Sequence, residues 1–181
     1  MSRILTYTGK MFDPLNPEEE LLDIRDIAHA LSMLCRANGH FKTFHSVGQH
    51  SISCMKEAKA RGYSPRLQLA CLLHDASEAY LSDVTRPVKA QLPQYKGIEE
   101  PLQAAIWKHF LGTPLDEEES RLVFRVDDDC LAHEFFYFTG VKLADPLPGL
   151  CSQPDYGFLS FQHTEEELLQ LFRELTQEEH T

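Results

Sequence analysis

An all-α fold with a small N-terminal β-hairpin is the fold class that this sequence predicts. Apolar residues recur with helical spacing in at least five segments, whereas strand-like alternation is confined to the first dozen residues. Helix-start signals precede three of these segments: Asp23, the pair Ser46 and Gln49, and the dipeptide Ser64-Pro65. With 181 residues, the chain fits a single domain over residues 1–181.

The composition is that of an ordinary globular protein, with 43% hydrophobic and 25% charged residues. No stretch approaches the roughly 18 apolar residues of a membrane span, and the N-terminus lacks the apolar core of a signal peptide. We therefore expect a cytoplasmic protein without a membrane partner. The net charge of −11 repels phosphate backbones, so a nucleic acid polymer is not an expected partner, although a small phosphate ester is not excluded.

The five cysteines are odd in number and share no Cys-x-x-Cys spacing. Three of them fall within apolar helical patterns, where a free cysteine behaves as a small hydrophobic residue. We interpret the cysteines as reduced core residues rather than as a disulfide or zinc framework.

The first half of the chain contains the hairpin and three predicted helices. The hairpin covers residues 4–12, and the first helix follows Asp23 and ends at Asn38-Gly39. The second helix runs from Ser46 to about residue 62, with His50 facing inward in its first turn. The third covers residues 64–78 and is apolar nearly all round, as a central helix would be.

The second half contains three further helices. Two are predicted over residues 98–110 and 116–138, and residues 140–163 are predicted as loop. Thr164 and Glu167 are expected to cap the last helix.

A histidine and an aspartate, His74 and Asp75, directly follow the apolar run of residues 69–73. Ionisable groups in such runs are usually paired or bound to a metal ion. A mononuclear hydrolytic site needs three or four His and Asp/Glu ligands; His50 offers a third, and one of the three carboxylates at 127–129 a fourth. A hydrogen-bonded core histidine and a solvent-facing aspartate run explain the same residues, so spacing alone leaves both interpretations open.

The order His50, His74-Asp75 and a late aspartate resembles that of the HD-domain metal-dependent phosphohydrolases. Residues 74–78 (HDASE), Asp83 and residues 87–89 (PVK) are similar to a segment of the bacterial HD-domain 5′-deoxynucleotidases. Residues 7–13, 26–31 and 46–51 resemble a phage and bacterial branch of this group. Together these similarities cover residues 4 to about 138 and imply the HD helical bundle.

The resemblance implies one divalent metal ion (Mn, Co, Fe, Ni, Mg or Zn) held by His50, His74, Asp75 and Asp127. In the branch, the late aspartate begins a D-x-x-x-L-A-x-E pattern, which residues 127–134 fit with Asp127 first. Asp128 remains the second choice for the fourth ligand.

The same resemblance implies catalytic roles for Glu78 and Asp83, as proton donor and as a group that binds the sugar or the attacking water. Asp83 as a helix cap is the alternative. Arg36, His45 and Lys89 are candidate substrate-binding residues; for Lys89, a solvated lysine at a helix start is the alternative.

The expected reaction is hydrolysis of a phosphomonoester, most simply a (deoxy)nucleoside 5′-monophosphate. A cyclic dinucleotide, a nucleoside triphosphate or a guanosine polyphosphate would keep the metal site and change the pocket. Two further interpretations stay open: an HD-type oxygenase with two irons, and a non-catalytic metal-binding HD module. Many members of the family dimerise, so a homodimer is an expectation of the same kind.

Overall fold

The computed structural model describes residues 3–178, and in this part of the chain eight α-helices accompany one two-stranded antiparallel sheet. The strands are β1 (Ile4–Leu5) and β2 (Met11–Phe12). The helices are α1 (Ile24–Met33), α2 (Val47–Ala60), α3 (Pro65–Leu72), α4 (Glu78–Leu81), α5 (Arg86–Lys89), α6 (Pro93–Leu111), α7 (Glu117–Thr139) and α8 (Phe161–Glu178). The predicted fold class, helical with an N-terminal hairpin, is confirmed.

The hairpin is fixed to α1 by a buried carboxylate. Strand β1 pairs with β2 in the register Ile4 to Phe12, and Gly9 supplies the positive φ of 84° that the turn requires. Asp26 of α1 accepts hydrogen bonds from the backbone N and Oγ1 of Thr8, at 2.6 and 2.9 Å. Phe12 is fully buried and anchors the hairpin to the core, whereas Ile4, Leu5 and Met11 are exposed.

The three predicted helix starts are confirmed. The Asp23 side chain accepts from the backbone N of Arg25 at the start of α1. Ser46 and Gln49 form a complete capping box on α2, and Ser64 caps α3 ahead of its first-turn proline.

The predicted end of the first helix at Asn38-Gly39 is wrong, because α1 stops at Met33. Residues 36–39 form a 3-10 turn, in which Ala37 and Asn38 have positive φ values of 51° and 50°. The backbone N of Arg36 bonds to the carbonyl of His45 at 2.9 Å, so the chain doubles back before α2. This loop brings Arg36 beside the second helix.

The third helix is also shorter than the predicted 64–78. Helix α3 ends at Leu72, residues 73–77 form turns, and α4 starts at Glu78. The predicted one-turn helical relation between His74 and Glu78 is therefore wrong, although both side chains are buried in the same region.

The last helix begins at Phe161, one turn before the predicted cap. Ser160 provides the cap instead, because its Oγ accepts from the backbone N of His163 at 3.2 Å. Thr164 lies inside the helix and is buried. The loop predicted before this helix is confirmed as far as residue 160.

Helix α3 is central, as its apolar sequence predicts: it contacts α2, α6, α7 and α8, and residues 69–73 are fully buried. All five cysteines are free, and Cys54, Cys71 and Cys130 are buried in the core, whereas Cys35 is half-buried and Cys151 is exposed. Over residues 3–178, no helix combines the length and the apolar character that crossing a bilayer requires.

Candidate metal centre

Three segments far apart in the chain place His50, His74, Asp75 and Asp127 together. His50 lies in the first turn of α2, His74 and Asp75 in the turn after α3, and Asp127 in the middle of α7. The His50 and His74 rings are 5.1 Å apart. The four residues that the resemblance implies as ligands are therefore neighbours in space.

The two histidines present the same ring nitrogen to this centre. His74 Nδ1 lies 2.8 Å from the carbonyl oxygen of Cys71, and His50 Nδ1 lies 2.7 Å from Glu134 Oε1. A histidine that donates from Nδ1 has its Nε2 lone pair free for a metal ion. His74 Nε2 is buried and has no hydrogen-bond partner, which is unusual for a buried polar atom and fits a position that a cation fills.

The separations of the donor atoms fit one ion. His50 Nε2 lies 3.0 Å from Asp127 Oδ1 and 4.0 Å from Asp75 Oδ2. His74 Nε2 lies 3.7 and 3.3 Å from the same two oxygens. Donor atoms about 2 Å from a shared ion lie roughly 3 to 3.5 Å apart, so the spacing needs little adjustment. These residues fit a divalent cation.

Cys54 offers a further possible metal ligand, its Sγ atom, which was not predicted from the sequence. Its Sγ lies 3.4 Å from His50 Nε2, and suitable atoms of His50, Cys54, His74 and Asp127 all lie within 4.8 Å of one another. The available signal was the i, i+4 spacing of His50 and Cys54, which places both side chains on one face of α2. Burial, followed by contact with Cys130, raises the pKa of the thiol, so Cys54 is protonated when no cation is present.

The three aspartates of residues 127–129 do not all face the centre. Asp127 faces the histidines, whereas Asp128 is 59% exposed and pairs with Arg86 of α5. Asp129 lies 2.8 Å from the guanidinium of Arg61, at the end of α2. The structure thus places Asp127, and not Asp128, among the donor atoms.

Glu134 is the second residue that sequence reasoning missed. It lies two helical turns after Asp127, is fully buried, and binds His50 Nδ1 through Oε1. Burial raises the pKa of Glu134, but the nearby His50 and Arg36 outweigh it and hold the pKa well below its usual range. The D-x-x-x-L-A-x-E pattern contained this signal, because its last residue is Glu134. A carboxylate behind a ligand histidine fixes the ring and increases its basicity.

The carboxylates of the centre favour positive charge on the two histidines. Burial and Arg36 lower the pKa of His50, yet the carboxylates of Glu134 and Asp127 outweigh both and raise the pKa to about 9. The pKa of His74 is also raised, since Asp75 and Asp127 outweigh its burial. Conversely, burial raises the pKa of Asp75, but His74 lowers it to about 2. A divalent cation would replace the protons on the two rings.

Arg36 lies against this centre, but its guanidinium is already engaged. Its side chain is 10% exposed, with Nη1 3.3 Å from Asp75 Oδ2 and Nε 3.2 Å from Glu134 Oε2. The second contact is an ion pair without hydrogen-bond alignment, since Oε2 has no such partner. Burial lowers the pKa of Arg36, but Glu134 and Asp75 outweigh burial and raise the pKa above its usual value, so the guanidinium stays charged.

His45 lies behind the centre rather than on an open pocket wall. It is fully buried, with Nε2 3.4 Å from Glu134 Oε1, and its ring packs near Phe41, Phe138 and Tyr156. Its polar contact on the side of the centre is therefore with Glu134, the partner of His50.

Glu78 and Lys89 lie together on another side of the centre. Glu78 Oε2 is buried without a hydrogen-bond partner, and Lys89 Nζ is 3.6 Å from Oε1 and 2.6 Å from Glu99. Burial, then Asp75 and Asp83, raise the pKa of Glu78 well above its usual value. Burial also raises the pKa of Asp83, which is half-buried. Glu78 is therefore a buried carboxyl group whose surroundings favour its protonated form.

No family model matches the chain. An uncharacterized protein of Escherichia coli K12, YfdR, is 40% identical over 116 residues, which cover 63% of this chain and 61% of the relative. An uncharacterized protein of Rhodobacter capsulatus is 38% identical over 113 residues, which cover 59% of this chain and 57% of the relative. The chain thus spans about six-tenths of the length of these curated relatives, and their names assign no activity.

Proposed function

We propose that this protein is a divalent-metal-dependent phosphohydrolase of the HD type that acts on (deoxy)nucleoside 5′-monophosphates. One observation carries the proposal: the Nε2 atoms of His50 and His74 converge with carboxylate oxygens of Asp75 and Asp127. The order of these residues is the H…HD…D order that prompted the resemblance.

Different residues of the chain would bind the cation and act on the substrate. His50, His74, Asp75 and Asp127 would hold the ion, with Glu134 and the Cys71 carbonyl orienting the two rings. A bound divalent cation supplies Lewis acidity toward water and toward a phosphoryl oxygen.

Glu78 is the proposed proton donor. In the reaction, a water oxygen bonds to phosphorus and its proton passes to solvent, the bond from phosphorus to the 5′-oxygen breaks, and the leaving alkoxide takes a proton from Glu78, which solvent then restores. Glu78 carries that proton, because burial and the nearby carboxylates keep its pKa high. Its Oε2 has no competing partner among the described residues.

Lys89 and Asp83 complete the proposed substrate side. Lys89 lies between Glu78 and Glu99, and its ammonium is the proposed group that stabilises charge on the phosphoryl group. Asp83 is the proposed acceptor for a sugar hydroxyl, and Arg36 would act on the substrate through Asp75 and Glu134. A homodimer remains a proposal from the resemblance, for which size-exclusion chromatography with light scattering is the test.

The test is a phosphate-release screen over nucleoside 5′-monophosphates. Protein stripped with a chelator receives Mn²⁺, Co²⁺, Mg²⁺ or Fe²⁺ in separate reactions, and Asp127→Asn protein from the same preparation measures contaminating phosphatase. We expect release that depends on the added metal and is lost in the variant. No release from any monophosphate by protein with bound metal would contradict the proposal.

Cys54 favours a second candidate, a closed structural metal site. Two histidines, a thiolate and a carboxylate can fill a tetrahedral zinc site and leave no position for substrate. Co²⁺ distinguishes the candidates, since a thiolate ligand gives an intense near-ultraviolet charge-transfer absorption. If that absorption is present and disappears in Cys54→Ser but not in Cys71→Ser, the structural site is favoured. Its absence favours the open catalytic site.

A further inference from the structure

Arg86 is an arginine at the solvent-exposed edge of the metal centre to which neither the sequence nor the proposed mechanism gives a role. Its side chain is 58% exposed, and Nη2 lies 2.7 Å from Asp127 Oδ2. The other oxygen of the same carboxylate, Oδ1, faces His50 and His74. Asp127 therefore links the buried histidines on one side to an exposed guanidinium on the other.

The second contact of Arg86 is an exposed ion pair that is easily exchanged. Nη1 binds Asp128 Oδ1, and both side chains are more than half exposed. Exposed ion pairs contribute only about 0 to 1 kcal/mol, because water screens them. An incoming anion with stronger charge can therefore displace Asp128 from Arg86.

The other two cations near the centre are less free to change partners. Arg36 is 10% exposed and lies between two carboxylates, and Lys89 is 26% exposed and lies 2.6 Å from Glu99. One side of the Arg86 guanidinium contacts Asp127, a proposed metal ligand, and the other side faces solvent. Such a planar group suits bidentate binding of phosphate oxygens.

We propose that Arg86 binds the phosphate dianion of the substrate, and that Asp128 holds the guanidinium in place until the phosphate replaces it. This inference rests on the proposed function for the identity of the substrate as a phosphomonoester. Asp128 thereby has a role distinct from that of Asp127, because it competes with the substrate for Arg86.

The test measures binding of inorganic phosphate to Mn²⁺-loaded protein by isothermal titration calorimetry, without turnover. We expect Arg86→Ala to weaken phosphate binding about 10- to 100-fold, the usual effect of losing a charge-assisted hydrogen-bonded pair. Arg121→Ala is the matched control, since Arg121 is an exposed arginine of α7 with only a long contact to Glu118. It removes the same charge and should leave phosphate binding unchanged.

Asp128→Asn provides a change in the opposite direction. It removes the competing carboxylate and leaves the Asp127 contact, so phosphate should bind about two- to fivefold more tightly. An unchanged affinity in Arg86→Ala, an equal loss in Arg121→Ala, or no phosphate binding by the wild type would overturn the inference. Phosphate binding that depends on Arg86, without hydrolysis of any monophosphate, would support the inference and contradict the proposed function instead.

Discussion

The centre has two sides that differ in how exposed their charged side chains are. The buried side consists of His50, His74 and Glu134, where each Nδ1 has a fixed partner within 2.8 Å and Glu134 is fully buried. The open side consists of Glu78, Lys89 and Arg86, where the carboxyl group is buried but the lysine and arginine side chains are 26% and 58% exposed.

This difference suggests a division of labour. Donor atoms held by outer hydrogen bonds lose little entropy when a cation binds, so the buried side suits tight metal binding. Charged side chains that reach solvent suit a substrate that arrives and leaves. Substitutions on the buried side should therefore change metal affinity, and those on the open side should change turnover or phosphate binding.

The largest expected effect belongs to Asp127, which contacts both sides. Asp127→Asn removes the charged oxygen that faces the two histidines, so the purified protein should retain almost no metal after dialysis. The measurement is metal content by elemental analysis. Asp128→Asn, one residue further along α7, should retain metal like the wild type; equal loss in both variants would contradict the assignment of Asp127.

Next is the proton donor of the open side. Glu78→Gln keeps the shape of the side chain but cannot donate the proton, so kcat should fall roughly 100- to 10,000-fold while metal content stays unchanged. Glu100→Gln, which changes an exposed carboxylate of α6 paired with Lys96, is the control and should retain full activity. Loss of metal from Glu78→Gln would place Glu78 on the metal-binding side instead.

Glu134→Gln tests the outer hydrogen bond of the buried side. Metal affinity should fall about 10- to 100-fold, the usual effect of losing a carboxylate behind a ligand histidine. A competition titration against a chelator measures the change. Glu165→Gln removes a similar contact, 2.9 Å from His29 Nδ1, away from the centre, and should not change metal affinity. If both variants bind metal as tightly as the wild type, Glu134 does not position His50.

The smallest effect concerns stability and pH. Buried Glu57 accepts from the backbone N of Cys151 and Ser152 and from Arg61, which also binds Asp129. Burial raises the pKa of Glu57, but the Cys151 and Ser152 hydrogen bonds outweigh it and lower the pKa to about 2. Glu57→Gln should therefore lower the free energy of unfolding at pH 7 by about 2 kcal/mol, a decrease in Tm of roughly 4 to 8 °C.

The sign of the pH dependence follows from that lowered pKa. The stabilisation is complete above the ordinary pKa of 4.5 and disappears as the pH falls toward 2, so the two melting temperatures should converge in acid. Thermal melts between pH 7 and pH 3 measure this, with Glu167→Gln as a surface ion-pair control. A constant difference across that range would show that the carboxylate charge is not involved.

The sequence predicted the starts of α1, α2 and α3 better than the ends of α1 and α3. Capping signals at Asp23, Ser46 and Ser64 are local, so the helix starts were readable, and His50 in a capped first turn had to face inward. The ends of α1 and α3 could not be predicted from the sequence, because non-local contacts, such as that of Arg36 with His45, interrupt the helical pattern.

Residues that join the centre only through the packing of distant elements could not be predicted from the sequence either. Glu134 and Cys54 become part of the centre only when α2 and α7 pack together, and Arg86 gains its position through Asp127 on a different helix. An exposed arginine at the start of a one-turn helix has no sequence pattern of its own. Likewise, propensity could not predict the partners of the aspartate run, because they lie on other elements, far away in the chain.

The most direct test is the metal stoichiometry of the intact protein. Chelator-stripped wild-type protein, titrated with Mn²⁺ or Co²⁺ by calorimetry, should bind one ion per chain, and His74→Ala should bind none at the same concentrations. Binding of no ion by the wild type, or equal binding by His74→Ala, would contradict a metal centre built on His50, His74, Asp75 and Asp127.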